Sequence, residues 1–306
     1  MGEQAGIGPC PAKQADDRAR DGVQVVMTIC LADICENRYV AVVTDGMVTV
    51  IPPNIEFEAP FPKARKVSDN CMFATAGSAI AHTPIFHDVQ VDVMRDGTKD
   101  IDKVVEYARN AYLKARNRKL EEEVLFPFGL NLQTYYQLQG GMNPALGNVI
   151  VQNMAKYNYG LWMLLVGVDE KGGHIYRIEN PGKVFSFDSI GYHAIGSGEL
   201  HAMSAFIANN THSGIPLKKG LAIAFEAKKR SEKAQGVGTE TDMFIVTSDK
   251  VIHLPTEVVD QFDTMYQKRL EQEKRVVSEF ESIELGKYFG SDETYERKGT
   301  EDGKNS

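Results

Sequence analysis

The strongest constraint on the fold is the way extended and helical segments are grouped along the chain. Thr28 to Ile34 is a β-branched, apolar run, and Tyr39 to Thr44 is another, with the polar turn Glu36-Asn37-Arg38 between them. Two such runs joined by a short polar link predict a hairpin. Lys63 to Val67 and Cys71 to Thr75, across Ser68-Asp69-Asn70, predict a second. Two helices follow, one through Val93 and one over Asp102 to Glu123. In the second, Val104, Val105, Ala108, Ala111, Tyr112 and Ala115 share one helical face. Strands return at Trp162 to Val168 and His174 to Ile178, then at Val184 to Phe187 and Tyr192 to Ile195. Helices over Glu199 to Ala208 and Pro216 to Lys233, then a strand pair at Met243 to Thr247 and Val251 to Leu254, complete the pattern. Hairpins alternating with pairs of helices suit two antiparallel sheets with helices outside, an α+β four-layer α/β/β/α sandwich, rather than βαβ units.

Three segments fall outside this order. Residues 1–27 are rich in Gly, Ala, Gln, Asp and Pro and read as an irregular extension or propeptide. The passage Pro52 to Pro62 is expected to be irregular or an edge, because proline cannot donate to a ladder. Residues 124–158, with Gly140-Gly141 and Gly147 among aromatics and amides, read as an insertion into a domain spanning 28–254. Residues 255–306 form a charged tail, helical to about Lys287.

Composition narrows the function classes. The net charge is -8 and no basic block occurs, so a nucleic-acid partner is not expected. No apolar run is long enough to span a bilayer, and the start lacks the charge and apolar pattern of a signal peptide. The four cysteines, Cys10, Cys30, Cys35 and Cys71, match neither a disulfide framework nor a zinc site and are expected to be buried thiols in a cytoplasmic protein. His82, His87, His193 and His201 show no ligand spacing, and no metal or cofactor is expected.

Four features carry possible chemistry. Met27-Thr28 stands at the head of the first strand. A threonine that became the N-terminal residue would supply both nucleophile and base, its hydroxyl attacking and its α-amine accepting the proton. The ordinary reading is a β-branched strand residue. Asp45 ends the second strand, and a turn role is its default. Lys63 opens the third; its charge beside an N-terminal amine would favour the neutral base. Gly196-Ser197-Gly198 separates a strand from a helix.

In that order, and with Val40 to Gly46, Lys63 to Val67, Phe73 to Ala79, Leu165 to Asp169, His174 to Ile178, Ile195 to Glu199 and Gly236 to Thr247, the sequence resembles proteasome β-type subunits. It is similar too to the bacterial peptidase that works beneath an ATP-dependent unfoldase ring. The resemblance implies an N-terminal-nucleophile hydrolase fold. It also implies a threonine peptidase in a ring-shaped homo-oligomer, with an ATP-dependent unfoldase as a further partner and polypeptide as substrate. Thr28 falls on the nucleophile, Asp45 and Lys63 on its charged partners, Gly77 on the oxyanion glycine and Ser197 on the supporting serine. Thr49 falls on the residue whose backbone pairs with substrate, and Val48, Thr75 and Ala79 on the side-chain pocket, which suggests small or apolar preference.

The sequence also departs from the family. An Asp and a Ser usual near the last helix are replaced by Lys233-Ala234-Gln235-Gly236-Val237-Gly238. Met27 stands where self-processing subunits commonly carry Gly. A start at Met27 followed by methionine removal is the alternative route to a free Thr28. Competing readings keep the fold but change the role, to an acylase or transpeptidase on another amide, or to a non-catalytic scaffold.

Overall fold

The computed structural model describes residues 28–50, 55–58, 63–77, 81–280 and 282–283, with the backbone alone at 48–50 and 55–58. The extension 1–27 lies outside the described residues, as does Ala79. The chain divides into two units, Met1–Val259 and Asp260–Ser306.

The first unit holds two five-stranded antiparallel sheets. One has the order β10-β1-β2-β11-β12, with β1 Ile29–Cys35, β2 Tyr39–Thr44, β10 Tyr192–Gly196, β11 Asp242–Val246 and β12 Val251–His253. The other runs β5-β6-β7-β8-β9, with β5 Ala64–Ser68, β6 Cys71–Gly77, β7 Leu161–Asp169, β8 Gly172–Glu179 and β9 Lys183–Ser186. Helices α1 His82–Asp96 and α2 Ile101–Leu120 follow β6, while α5 Glu199–Ala208 and α6 Leu217–Ser231 follow β10. A separate hairpin pairs β3 Met47–Val50 with β4 Ile55–Glu58.

The two-residue period of β1 explains why all seven of its residues are buried. Cys30, Ala32 and Ile34 point between the sheets, where they meet Met72, Ala74, Leu164, Val166 and Ile175. On the outer face of the second sheet, Phe73, Leu165 and Met163 pack on Ile85, Val89, Val104, Ala108 and Tyr112 of α1 and α2. The opposite residues of β1 face α6: the Cβ that Gly220 lacks would stand 2.3 Å from Cys35 Sγ and 2.5 Å from Asp33 Oδ2. The result is the four-layer α+β sandwich that the grouping of elements predicts.

Several details refine the sequence reading. Within the Pro-rich passage the described residues form β4, an edge strand of its two-stranded sheet, the second of the two alternatives expected there. The first helix starts at His82, after the small-residue stretch, and α2 ends at Leu120 before passing through a π-turn, Glu121–Leu125. The segment read as an insertion is mostly helical: α3 Leu132–Leu138 and α4 Pro144–Lys156 close a small core of Leu120, Leu125, Tyr135 and Ile150. The final helix α7, Thr256–Phe280, is shorter than the tail helix expected from charge patterning and has no buried residue.

Two buried ionisable groups mark the first unit. His174 is clasped by Asp188 (Nδ1 to Oδ2, 2.7 Å) and Asp169 (Nε2 to Oδ1, 3.0 Å). Burial alone would lower its pKa, but the two carboxylates outweigh it and raise it to about 9. Asp169 also accepts the Ile101 N–H, and Asp188 the Ile175 N–H, so the imidazolium joins the start of α2 to β8.

Asp33 is the opposite case. It is fully buried, its Oδ1 has no hydrogen-bond partner, and Oδ2 accepts only from Cys35 Sγ at 3.2 Å. Burial raises its pKa to about 7, with the Cys35 contact opposing. The folded chain therefore binds a proton that the unfolded chain, with a pKa near ~3.9, releases. Stability on this account falls as pH rises from about 4 to about 7. Asp33→Asn is expected to raise stability by ~1–3 kcal/mol at pH 8 and by much less at pH 5. Denaturant unfolding at the two pH values checks this, and a variant equally or less stable at pH 8 contradicts it.

Candidate active site

Thr28 leads into β1 and is 3% exposed. Its neighbours are set by the sheet. The Asp45 N–H donates to Ile29 O at 3.3 Å, which continues the β1–β2 pairing one residue past Thr44 and brings Asp45 beside the start of β1. Asp45 is fully buried. Its Oδ1 accepts the Thr28 hydroxyl at 2.6 Å and the Ile29 N–H at 3.1 Å, and Oδ2 accepts the Gly238 N–H at 2.8 Å.

Lys63 reaches this carboxylate from the other sheet. Its carbonyl accepts the Thr75 N–H at 3.1 Å, which fixes it at the entry to β5. Its Nζ donates to Asp45 Oδ1 at 2.6 Å and also to Thr28 Oγ1. The ion pair is nearly dry, with side-chain exposures of 11% for Lys63 and none for Asp45. The threonine oxygen thus donates to a carboxylate and accepts from an ammonium. That arrangement holds one of its lone pairs and its proton in fixed directions.

Ser197 closes the other side. The Thr28 N–H donates to Ser197 Oγ at 3.2 Å, and the serine proton has two carbonyls within reach, Thr28 O at 3.3 Å and Gln235 O at 3.1 Å. Strand β6 passes close to β1, since Cys30 Sγ donates to Thr75 O at 3.4 Å. Gly77 is two residues further along β6, paired with Leu161. It has φ +116°, and an added Cβ would lie 2.1 Å from Gly160 O. Gly196 has φ +111°, and its Cβ would meet Thr28 O at 2.2 Å. Backbone approaches this close, Gly77 to Gly160 and Gly196 to Thr28, require glycine.

Of the candidate residues, Thr28, Asp45, Lys63 and Ser197 come together by direct hydrogen bonds. Thr75 is buried on β6, and Val48 and Thr49 stand on β3, paired through the backbone with Phe57 and Glu56. The sequence reading missed the loop after α6. No side chain there replaces the usual Asp and Ser, yet the Gly238 N–H and Gln235 carbonyl make contacts. Lys228, fully buried, secures that loop by donating to Thr239 O at 2.7 Å and Glu232 Oε1 at 2.6 Å. Burial lowers its pKa, and the charge of Glu232 opposes the shift.

Neighbouring groups offer little competition as nucleophile or base. Burial raises the Cys30 thiol to about 12, with Lys63 acting against the shift, so the thiol stays protonated. His82 is lowered to about 4 by burial and then by Arg65, and His193 to about 4 by burial and then by Arg177, so both are neutral. His87 and His201 are exposed. Among the described residues, no group of three or more His, Cys, Asp or Glu side chains is placed to hold a metal ion, and no helix is long and apolar enough to cross a membrane.

No curated protein matches the chain. Residues 98–240 match the family model described as Proteasome subunit, a span that contains Ser197, Gln235 and Gly238 and runs from just before α2 to just before β11. That match, over somewhat less than half of the chain, and the two-sheet sandwich together support a proteasome-type subunit.

Proposed function

We propose that the protein is a threonine-type peptidase whose nucleophile is Thr28, exposed once the preceding residues are removed, and that it works in a ring-shaped homo-oligomer. The observation that carries this reading is the position of Thr28 Oγ1 between Asp45 and Lys63. In the mature chain the Thr28 nitrogen becomes an α-amine within 3.2 Å of Ser197 Oγ. The hydroxyl attacks the substrate carbonyl carbon and its proton passes to the amine, directly or through a water. The amide C–N bond breaks, the departing amine takes the proton, and a Thr28 ester remains. Water then hydrolyses the ester and restores the hydroxyl.

Lys63 contributes by charge. Its ammonium favours the neutral amine and stabilises negative charge building on the threonine oxygen. The Gly77 N–H serves as oxyanion donor, and an extended substrate lies along β3, its backbone paired with that of Thr49.

The test is the mass of the purified protein before and after treatment with a peptide carrying an acylating electrophile. The expected result is a chain starting at Thr28, with one adduct located on that residue. A chain that retains Met27, takes up no adduct and cleaves no peptide would remove the reading in favour of a non-catalytic subunit.

A further inference from the structure

From Val124 to Ala155 the chain has 32 residues and not one Asp, Glu, Lys, Arg or His. At the chain's overall 25% of charged residues, a stretch of that length would carry about eight. Composition of this kind ordinarily belongs to a core, but here only Leu125, Tyr135 and Ile150 are buried. Phe126, Phe128, Tyr136, Leu138, Leu146, Val149 and Val151 are all more than a third exposed, between 38% and 59%. Scattered apolar residues on a surface mean little, whereas a contiguous uncharged arm of them marks an interaction face.

The arm is a built platform. Asn131 and Thr134 cap α3 reciprocally, each side chain bonding the other's backbone N–H at 2.8 Å, and Asn143 caps α4 by accepting from Ala145 N at 2.9 Å. In α4 the buried ridge is Ile150, yet Val149 and Val151 flank it on both sides and are about half exposed. A helix with only one apolar contact would turn polar beside its ridge. This arc is wider than the small core beneath it can use.

We infer that this arm is the face through which two copies of the chain meet about a two-fold axis, a deepening of the self-association in the reading above in which the arm joins two rings and does not close one. Charge selects the occupant. At a net charge of -8 two copies repel overall, and a contact through an uncharged arm adds no like-charge pair to that repulsion. A symmetric contact pairs a patch with itself, so an uncharged patch meets an uncharged patch. Interface centres are depleted in charge in the same way. The size also fits: a stable interface uses roughly 20–30 residues a side. A membrane surface is the poorer occupant, because adsorbed helices rely on Lys and Arg on their polar face and the arm has none.

The experiment is the native mass of the full-length protein, by light scattering on a sizing column, for the wild type and for Val149→Glu/Val151→Glu. Both valines are exposed, so the variant should keep its far-UV spectrum and unfolding temperature, which are measured alongside. The expected result is a smaller assembly and a self-association constant weakened at least ~100-fold, because glutamates from two copies then face each other. Phe128→Glu should act in the same direction. An oligomeric wild type with unchanged variants overturns the arm as the interface while leaving the ring reading intact. A monomeric wild type, or one that floats with neutral phosphatidylcholine vesicles instead of self-associating, overturns the inference itself, and Thr28 labelling then judges the catalytic reading separately.

Discussion

Exchanging Lys63 for methionine is expected to lower kcat for peptide hydrolysis by roughly three orders of magnitude, with a smaller effect on KM. Methionine fills nearly the same volume, so the gap between the sheets stays packed. What disappears is the ammonium that contacts both Thr28 Oγ1 and Asp45 Oδ1. The first loss is electrostatic: the oxygen that must gain negative charge faces Asp45 alone. The second concerns the base, since without the cation the N-terminal amine binds its proton more tightly at neutral pH.

The same substitution leaves Asp45 buried without its ion partner, which for a dry pair costs about 3–5 kcal/mol when nothing else holds the charge. Here three donors remain, the Thr28 hydroxyl and the N–H groups of Ile29 and Gly238, and the penalty should fall below that range. The double variant Asp45→Asn/Lys63→Met separates the two effects. It should recover most of the lost unfolding temperature and none of the activity. A double variant that regains activity, or a Lys63→Met enzyme within tenfold of wild type, would show that the lysine is only a structural counter-ion.

Much of the sandwich can be read from the chain because both sheets bury strands on two faces and most of their links are short polar turns. Ile29–Cys35 and Tyr39–Thr44 stand within a residue of where apolar, β-branched texture places them. Strand β4 was obscured by its surroundings: Ile55-Glu56-Phe57-Glu58 alternates as a strand should, but prolines on both sides argue for irregular chain. The helices of the arm are hard to read for a different reason. Helix α3 has seven residues and one buried side chain, too little for a period of 3.6 to show. Its only local signals are caps, Asn131 ahead of α3 and Asn143-Pro144 ahead of α4. In the candidate site, the side chains of Thr28, Asp45, Lys63 and Ser197 are legible through the order of the motifs. The contributions of Gly238 and Gln235 are not, because they come from the main chain, which every residue possesses.

The second large effect is expected from one methyl group. Gly77→Ala should cost more than ~4 kcal/mol of stability, roughly an 8–16 °C fall in unfolding temperature for a domain of this size. Two independent terms add. At φ +116° the backbone of residue 77 lies where a Cβ is disfavoured, and the methyl would sit 2.1 Å from the carbonyl oxygen of Gly160, a main-chain atom with no rotamer to escape into. Relief requires parting the ends of β6 and β7, where Gly77 pairs with Leu161 and Tyr112 Oη donates to Leu161 O at 3.0 Å. Gly97→Ala is the matched control: φ is +60°, nothing stands within 4 Å of its Cβ, and only ~1 kcal/mol of backbone strain is expected. The difference between the two variants therefore measures the close approach itself. Any Gly77→Ala protein that does fold carries a displaced N–H at the proposed oxyanion position, and its peptide hydrolysis should fall by a further ~100-fold or more. Equal unfolding temperatures for the two variants would mean that β6 and β7 yield easily at this end, and a rigid oxyanion donor at Gly77 could not then be maintained.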